Sequence, residues 1–317
     1  MKHTTLLFLF CILSTYTFSQ KNDNYAIVDN YVNSLGEMDS LNISSITKKL
    51  TSHFSDKKMK CRAIYYWIAN NISMISIKNK TSRNSIEIEK IIQSRNSNST
   101  DFASLFQEMC SLSEIRCLKI EGYTRFYSKE ISDIPESINH TWNVVQLGKS
   151  PDSWFYVDVA KGCGYIDSRL HTFVKNFSGN YFFSEYLIFN LDHFPDNKSW
   201  ILGESSLNLN SFFSLPIIEN EAYEINLQKF SPLTDFIHSA PNQPIQFEFL
   251  HSNQSLISSI SIITGDGNKQ SNPERINFTD ANGKISFSYT FKKSASFPFK
   301  ILINNNLFLI YHVEISE

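Results

Sequence analysis

Apolar residues recur at helical spacing through the first part of the chain and give way to strict alternation in the last third. Ile43, Ile46, Leu50 and Phe54 fall on one helix face, and a second helix follows in "SDKKMKCRAIYYWIANNISM", where Ser55 or Asp56 caps the start. Within it Met59, Ala63, Ile64, Trp67 and Ile68 make a single stripe of the kind that packs into a core. "SIEIEKIIQ" predicts a short third helix with Ile88, Ile91 and Ile92 inward. Phe102, Leu105, Phe106 and Met109 then predict a buried helix from about Ser99 to Leu112, with Ser99 as its N-cap ahead of Thr100 and Asp101.

Three extended segments come next, "CLKIEGYTRFY", "HTWNVVQLG" and "WFYVDVA", each rich in aromatic or β-branched residues and bounded by polar or Gly/Pro-containing loops. Helices followed by a run of strands predict an α+β layer arrangement. Beyond about Leu215 the period drops to two, in "PIQFEFLH", "SISIITG", "KISFSYTF" and "PFKILINNNLFLIYHVEI", with "GDGN" and "DANGK" as hairpin signals. That pattern predicts a separate all-β domain, an immunoglobulin-like sandwich of about a hundred residues. The expected division is residues 1–19, 20–212 and 213–317.

The first of these spans reads as a leader. "MKHTTLLFLFCILSTYTFSQ" joins a basic start at Lys2 to an apolar run from Leu6 to Leu13 and a small-residue exit near Ser19, the layout of a secretory signal peptide. The run is too short to cross a bilayer, which takes about 20 residues. Phe10 before Cys11 lacks the small residue of a lipoprotein cleavage site. The expectation is a secreted chain, periplasmic or at the cell surface, without a membrane span.

Composition narrows the classes further. The 317 residues are 42% apolar and 14% aromatic, enough to bury a large core or two. Lys+Arg 29 against Asp+Glu 31 leaves a net charge of -2, which argues against a nucleic-acid partner. The many Asn-x-Ser/Thr triplets follow from heavy use of Asn and Ser and weigh little as glycosylation signals. Once Cys11 leaves with the leader, Cys61, Cys110, Cys117 and Cys163 remain. They allow three full disulfide pairings, or serve as buried small apolar residues. No close Cys-x-x-Cys or His pair is present, so neither zinc nor another cofactor is expected.

Chemistry enters through three residues in chain order: Ser99 at a helix start, His140 at the head of a strand and Asp158 at the end of the next. A nucleophile at a helix N-terminus gains from the partial positive charge there, and His and Asp on adjacent strands can hydrogen-bond side by side. This is the layout of a Cys-His-Asp triad.

The stretches "KCRAIYYWIANNISM", "RNSNSTDFASLFQEMC", "EGY", "HTWNVV", "WFYVDVAKGCGY" and "YFFSEYLIFNLDHFPDNKSWIL" occur in that order from Ser55 to Leu202. Together they resemble the transglutaminase-like superfamily, with its papain-like, cysteine-protease-like fold, and within it secreted bacterial proteins akin to kyphoscoliosis peptidase. The resemblance implies that Ser99 stands at the catalytic cysteine position, His140 at the general base and Asp158 at its orienting carboxylate, with Trp142 and Asn143 lining the cleft. The cysteine itself is absent. Asn96, Ser97 and Asn98 replace a Gly-containing approach, and a one-residue shift of register offers only Asn98 or Thr100.

Cys110 lies eleven residues beyond Ser99, about 16 Å along a helix, out of reach of a His placed for Ser99. The resemblance implies packing for it, or a disulfide with Cys117. Asp192, His193 and Asp196 in "DHFPDN" suggest a metal set, but their place beside Pro195 and the family pattern read as a turn.

A thiol beside imidazolium becomes a resting thiolate, whereas a serine must lose its proton during attack. The expectation is therefore a catalytically inactive domain that binds a protein, peptide, glycan or other cell-envelope polymer, its His140 and Asp158 persisting as a structural pair. The alternative is a serine-type hydrolase or acyl transferase using Ser99, His140 and Asp158, with backbone N–H groups at the helix start holding the oxyanion.

Overall fold

A computed structural model describes residues 25–75, 87–125, 134–150, 153–166, 172–252 and 257–317. The leader expected over residues 1–19, Ser85 and Ile86 of the third predicted helix, and Phe126 and Tyr127 of the first predicted strand lie outside the described residues. Among the described residues no helix is long and apolar enough to cross a membrane.

The chain opens with α1 (Ala26–Ser34), α2 (Ile43–Thr51) and α3 (Lys57–Asn71). Asp56 caps α3, its side chain accepting from the Met59 N–H at 3.0 Å. The buried surface of α3 is wider than the predicted stripe, because Cys61, Arg62, Tyr65 and Ala69 are buried as well. Arg62 tolerates this through a bidentate pair with Asp29 of α1, at 2.8 and 2.7 Å, and through the rings of Tyr25, Phe177 and Phe182, 4.8 to 5.4 Å from its guanidinium carbon. A buried charge paired and enclosed in this way costs far less than a bare one.

Next, β1 (Ser73–Met74) runs parallel to β2 (Asn96–Ser97), with α4 (Ile88–Ser94) between them. The pair delivers the chain into α5 (Ser99–Leu112), which buries Phe102, Leu105, Phe106, Met109 and Cys110. Its N-cap is Asn98, not Ser99. The Asn98 Oδ1 accepts from the Asp101 N–H at 2.9 Å, and Ser99 is the first helical residue. Asn and Ser cap equally well, so the choice is made by Asn98 being the last extended residue.

The sheet beneath α5 is built from β3 (Arg116–Thr124), β4 (His140–Gln146) and β5 (Trp154–Val157). After β5 come α6 (Val159–Cys163), the paired β6 (Gly164–Ile166) and β7 (Phe173–Lys175), β8 (Phe182–Ser184), α7 (Tyr186–Asp192) and β9 (His193–Pro195). The strand order is β8-β5-β4-β3-β9, antiparallel throughout. Alternation along β4 sends Thr141, Asn143 and Val145 towards α5 and Trp142 and Val144 to the opposite face, where they pack with Ile120, Tyr156 and Phe189.

The remainder is α8 (Leu209–Phe213), β10 (Ile217–Ile218), α9 (Asn220–Glu224), β11 (Leu227–Ser231), β12 (Phe236–Ser239), β13 (Pro244–His251), β14 (Ile260–Thr264), β15 (Glu274–Ile276), β16 (Thr279–Ala281), β17 (Lys284–Thr290), β18 (Ala295–Ile303) and β19 (Asn306–Ile315). One sheet runs β11-β13-β17-β16 and the other β10-β19-β18-β14-β15, with β12 added parallel to β19. These are the A-B-E-D and G-F-C arrangements of an immunoglobulin-like sandwich, closed over Phe247, Phe249, Phe287, Phe299 and Phe308.

The apolar run "PFKILINNNLFLIYHVEI" proves to be the end of β18 and all of β19, folded back at Asn304 and Asn305 with φ of 50° and 69°. Asn282 and Gly283 turn β16 into β17 in the same left-handed region, at 54° and 75°. "GDGN" is not a tight hairpin; it opens a longer connection between β14 and β15 that contains a 3-10 turn at Gly267–Lys269.

The sandwich docks on the β9 side of the first sheet. Arg125, after β3, donates to Asp235 at 2.8 Å with both side chains buried, and Ser178 donates to Asn220 at 2.7 Å.

Candidate functional site

The site forms where the head of β4, the end of β5 and the start of β9 meet. Gly122 of β3 is what lets β9 come close: a Cβ there would run into the Phe194 carbonyl and come within 2.7 Å of the Trp142 ring. His140 is the first residue of β4, directly opposite Gly122. Asp158 follows β5 and caps α6, its Oδ1 accepting from the Lys161 N–H at 3.0 Å. Its other oxygen, Oδ2, lies 2.6 Å from His140 Nε2 and 3.0 Å from His193 Nε2.

His193 opens β9 and is fully enclosed. Its ring stacks on Phe189 at 3.8 Å and meets Trp142 edge-on at 5.1 Å, while Nδ1 stands 3.6 Å from Asp192 Oδ2. Asp192, the last residue of α7, is held by Lys161 Nζ at 2.6 and 2.7 Å and by the Tyr223 hydroxyl of α9 at 2.9 Å. Hydrogen bonds thus join His140, Asp158 and His193 on one side and Lys161, Asp192 and Tyr223 of the sandwich on the other, with the two groups meeting at the 3.6 Å approach of His193 to Asp192.

Charge is fixed by these contacts. Burial alone would raise the Asp158 carboxyl, but the histidines, His140 first, outweigh it and hold the group well below the usual carboxylate range. Asp192 is likewise opposed by burial and lowered by Lys161 and then His193. For His193 burial dominates and lowers the imidazole against the pull of Asp192 and Asp158. The ligand atoms of His140, Asp158 and His193 all lie within 4.8 Å of one another, so this group has the donors to hold a metal ion.

Of the three residues expected to act together, the structure joins His140 and Asp158. Ser99 is half-buried in the first turn of α5, where its neighbour Thr100 meets Thr141, next to His140, at 3.0 Å. Among the described residues the Ser99 hydroxyl makes no hydrogen bond to His140.

Other expectations need correction. Of the two roles open to Trp142, core or cleft wall, the structure has the core, and Asn143 does not line a cleft: it is buried and donates to the Ala103 carbonyl at 3.0 Å, tying β4 to α5. Asp192 and His193 are not in a turn, because α7 runs up to Asp192 and β9 begins at His193; Pro195 is tolerated because β9 is an edge strand. Only Asp196 of that trio is exposed. His193, read from the sequence as part of a turn, is instead a member of the site through its 3.0 Å contact with Asp158.

The four described cysteines are free and buried. Cys61, Cys110 and Cys117 share the core between α3, α5 and β3, and burial, then Cys117 and Cys61, push the Cys110 thiol up. Of the two roles expected for Cys110, the structure has packing. Cys163 is raised to about 12 by burial, and its thiol donates to the Ala160 carbonyl at 3.0 Å.

A family model for the transglutaminase-like superfamily matches residues 44–159, from α2 to the first residue of α6. Kyphoscoliosis peptidase of Homo sapiens is 28% identical over 182 residues, covering 57% of this chain and 27% of the relative. That of Mus musculus is 26% identical with the same coverage. Lim and transglutaminase domain protein ltd-1 of Caenorhabditis elegans is 25% identical, covering 52% of this chain and 24% of its own. The matched stretch thus spans about a quarter of the length of these curated relatives. A crystal structure from Parabacteroides distasonis overlaps 43% of this chain at 18% identity with a TM-score of 0.28, which adds nothing to the assignment. With the α5-on-sheet layer in place, the chain carries a transglutaminase-like domain.

Proposed function

We propose that this protein is an exported, catalytically silent transglutaminase-like module that binds a protein, a peptide or a cell-envelope polymer. The reading is carried by where the thiols are. The head of α5, where the superfamily resemblance puts a nucleophilic cysteine, holds Ser99, while the four described cysteines are buried in the core. A thiol raised by burial, as Cys110 and Cys163 are, is neither a nucleophile nor a resting thiolate.

A contact surface is at hand where the sandwich meets the domain. A cavity of ≈ 280 Å³ is lined there by Asn180, Phe183, Glu185, Tyr223 and Glu224. Phe183 has a φ of 54°, a conformation that costs a bulky residue about 1–3 kcal/mol and persists only where the surroundings impose it. Amides, carboxylates and a ring edge suit a polar chain such as a peptide or glycan.

The second reading, a serine-type hydrolase or acyl transferase, is favoured by the 2.6 Å contact between His140 and Asp158. Treatment with a fluorophosphonate, read by intact mass and peptide mapping, separates the two. The silent module stays unmodified while folded. A single adduct on Ser99 that disappears in His140→Ala would establish the enzyme instead.

A further inference from the structure

We propose that His140, Asp158 and His193 form a buried site for a divalent transition-metal ion of the zinc class. The donors are His140 Nε2, His193 Nε2 and Asp158 Oδ2, and both nitrogens already converge on that one oxygen, at 2.6 and 3.0 Å. Around a tetrahedral ion with bonds of about 2.0–2.1 Å, neighbouring ligand atoms stand about 3.3 Å apart. The two N–O separations fall short of that by about 0.7 and 0.3 Å, and all three donor atoms lie within 4.8 Å of one another, so small movements of both imidazoles would bring them to an ion.

The need for a cation follows from the donors available to His193. A neutral imidazole has one N–H and one lone pair. His193 is flanked by two carboxylates, with Nε2 at 3.0 Å from Asp158 and Nδ1 at 3.6 Å from Asp192. In either tautomer one nitrogen lone pair faces a carboxylate oxygen, and Nδ1 is buried without a hydrogen bond. A metal ion at Nε2 removes the conflict. The Nδ1–H then points at Asp192, the arrangement of carboxylate behind histidine that orients metal-binding imidazoles. Asp192 is built for that role, being clamped by Lys161, Tyr223 and Thr124.

Two imidazoles and one carboxylate suit Zn²⁺ or Co²⁺, whereas Ca²⁺ and Mg²⁺ take oxygen-rich sets. An ion on His140 Nε2 also takes the place of the His140 to Asp158 hydrogen bond that a triad would use. The proposal goes beyond the binding-module reading and does not depend on it, since metal content is measured without ligand or turnover.

The test is titration of folded, chelator-stripped protein with Co²⁺, followed by visible absorption. One equivalent is expected to bind and give the d–d bands of nitrogen and oxygen ligation, without thiolate charge transfer. His193→Gln, or Asp192→Asn if that variant does not fold, should weaken binding by about 10- to 100-fold, and His251→Gln in the sandwich should not. No stoichiometric binding by folded protein would overturn the proposal. So would thiolate charge transfer, which puts the ion on the cysteines, or binding that neither site variant alters.

Discussion

Asp158 does three things with two oxygens: Oδ1 caps α6 while Oδ2 receives both His140 and His193. Asp158→Asn keeps the shape but leaves two buried imidazoles facing an amide, so a loss of about 3 kcal/mol is expected in urea or thermal unfolding. The pH dependence has a definite sign. With its folded value depressed, the Asp158 contribution is fully present above the unfolded value of about 4 and is lost as pH falls through the folded one. His193, also depressed, makes the unfolded chain bind a proton first below about 6.5, so it too erodes stability on acidification. The wild type should therefore lose stability on acidification from about pH 6.5, and His193→Gln should flatten the upper part of that fall. At this scale His140 and Asp158 were legible because they sit at the ends of adjacent strands. His193 was not, since its partner Asp158 is 35 residues away on a different element and no local period reports it.

At the scale of elements, α5 was legible almost residue by residue because its buried positions keep the helical period over four turns. Its cap was misassigned by one residue, and the difference is measurable. Asn98→Ala should cost about 1 kcal/mol, since it strips the acceptor from the Asp101 N–H, whereas Ser99→Ala should leave stability nearly unchanged. The β18–β19 turn was illegible for another reason. Asn enters the left-handed region easily, but three consecutive asparagines between apolar runs do not say which pair turns, and only the register of the finished hairpin selects Asn304 and Asn305. Asn143 was expected in the cleft from the resemblance, while its actual use, a hydrogen bond to the Ala103 carbonyl, requires knowing that α5 lies across β4.

For the whole molecule, the polar connections between the two layers decide how it behaves. Arg125 and Asp235 form a buried pair 110 residues apart, and Tyr223 reaches from α9 to Asp192 behind the site. Arg125→Met takes the guanidinium away from the buried Asp235 carboxylate, and a cost of about 3–5 kcal/mol is expected, read as a lower unfolding midpoint. The α+β order and the sandwich were visible in the change of period near Leu215, but the docking was not. Arg125 is an unremarkable residue in sequence, and its partner is a single aspartate in a loop.

The central claim is that the His140 and Asp158 pair is retained while Ser99, in the first turn of α5, stands where a thiol nucleophile is expected. The measurement that tests it most directly is the pH dependence of alkylation in Ser99→Cys, on chelator-treated protein, where the buried native thiols stay silent. The account predicts that a thiol at position 99 titrates well below the reference value of about 8.5 and returns towards it when His140→Ala is added. A thiol of ordinary acidity, unmoved by the second substitution, would contradict it.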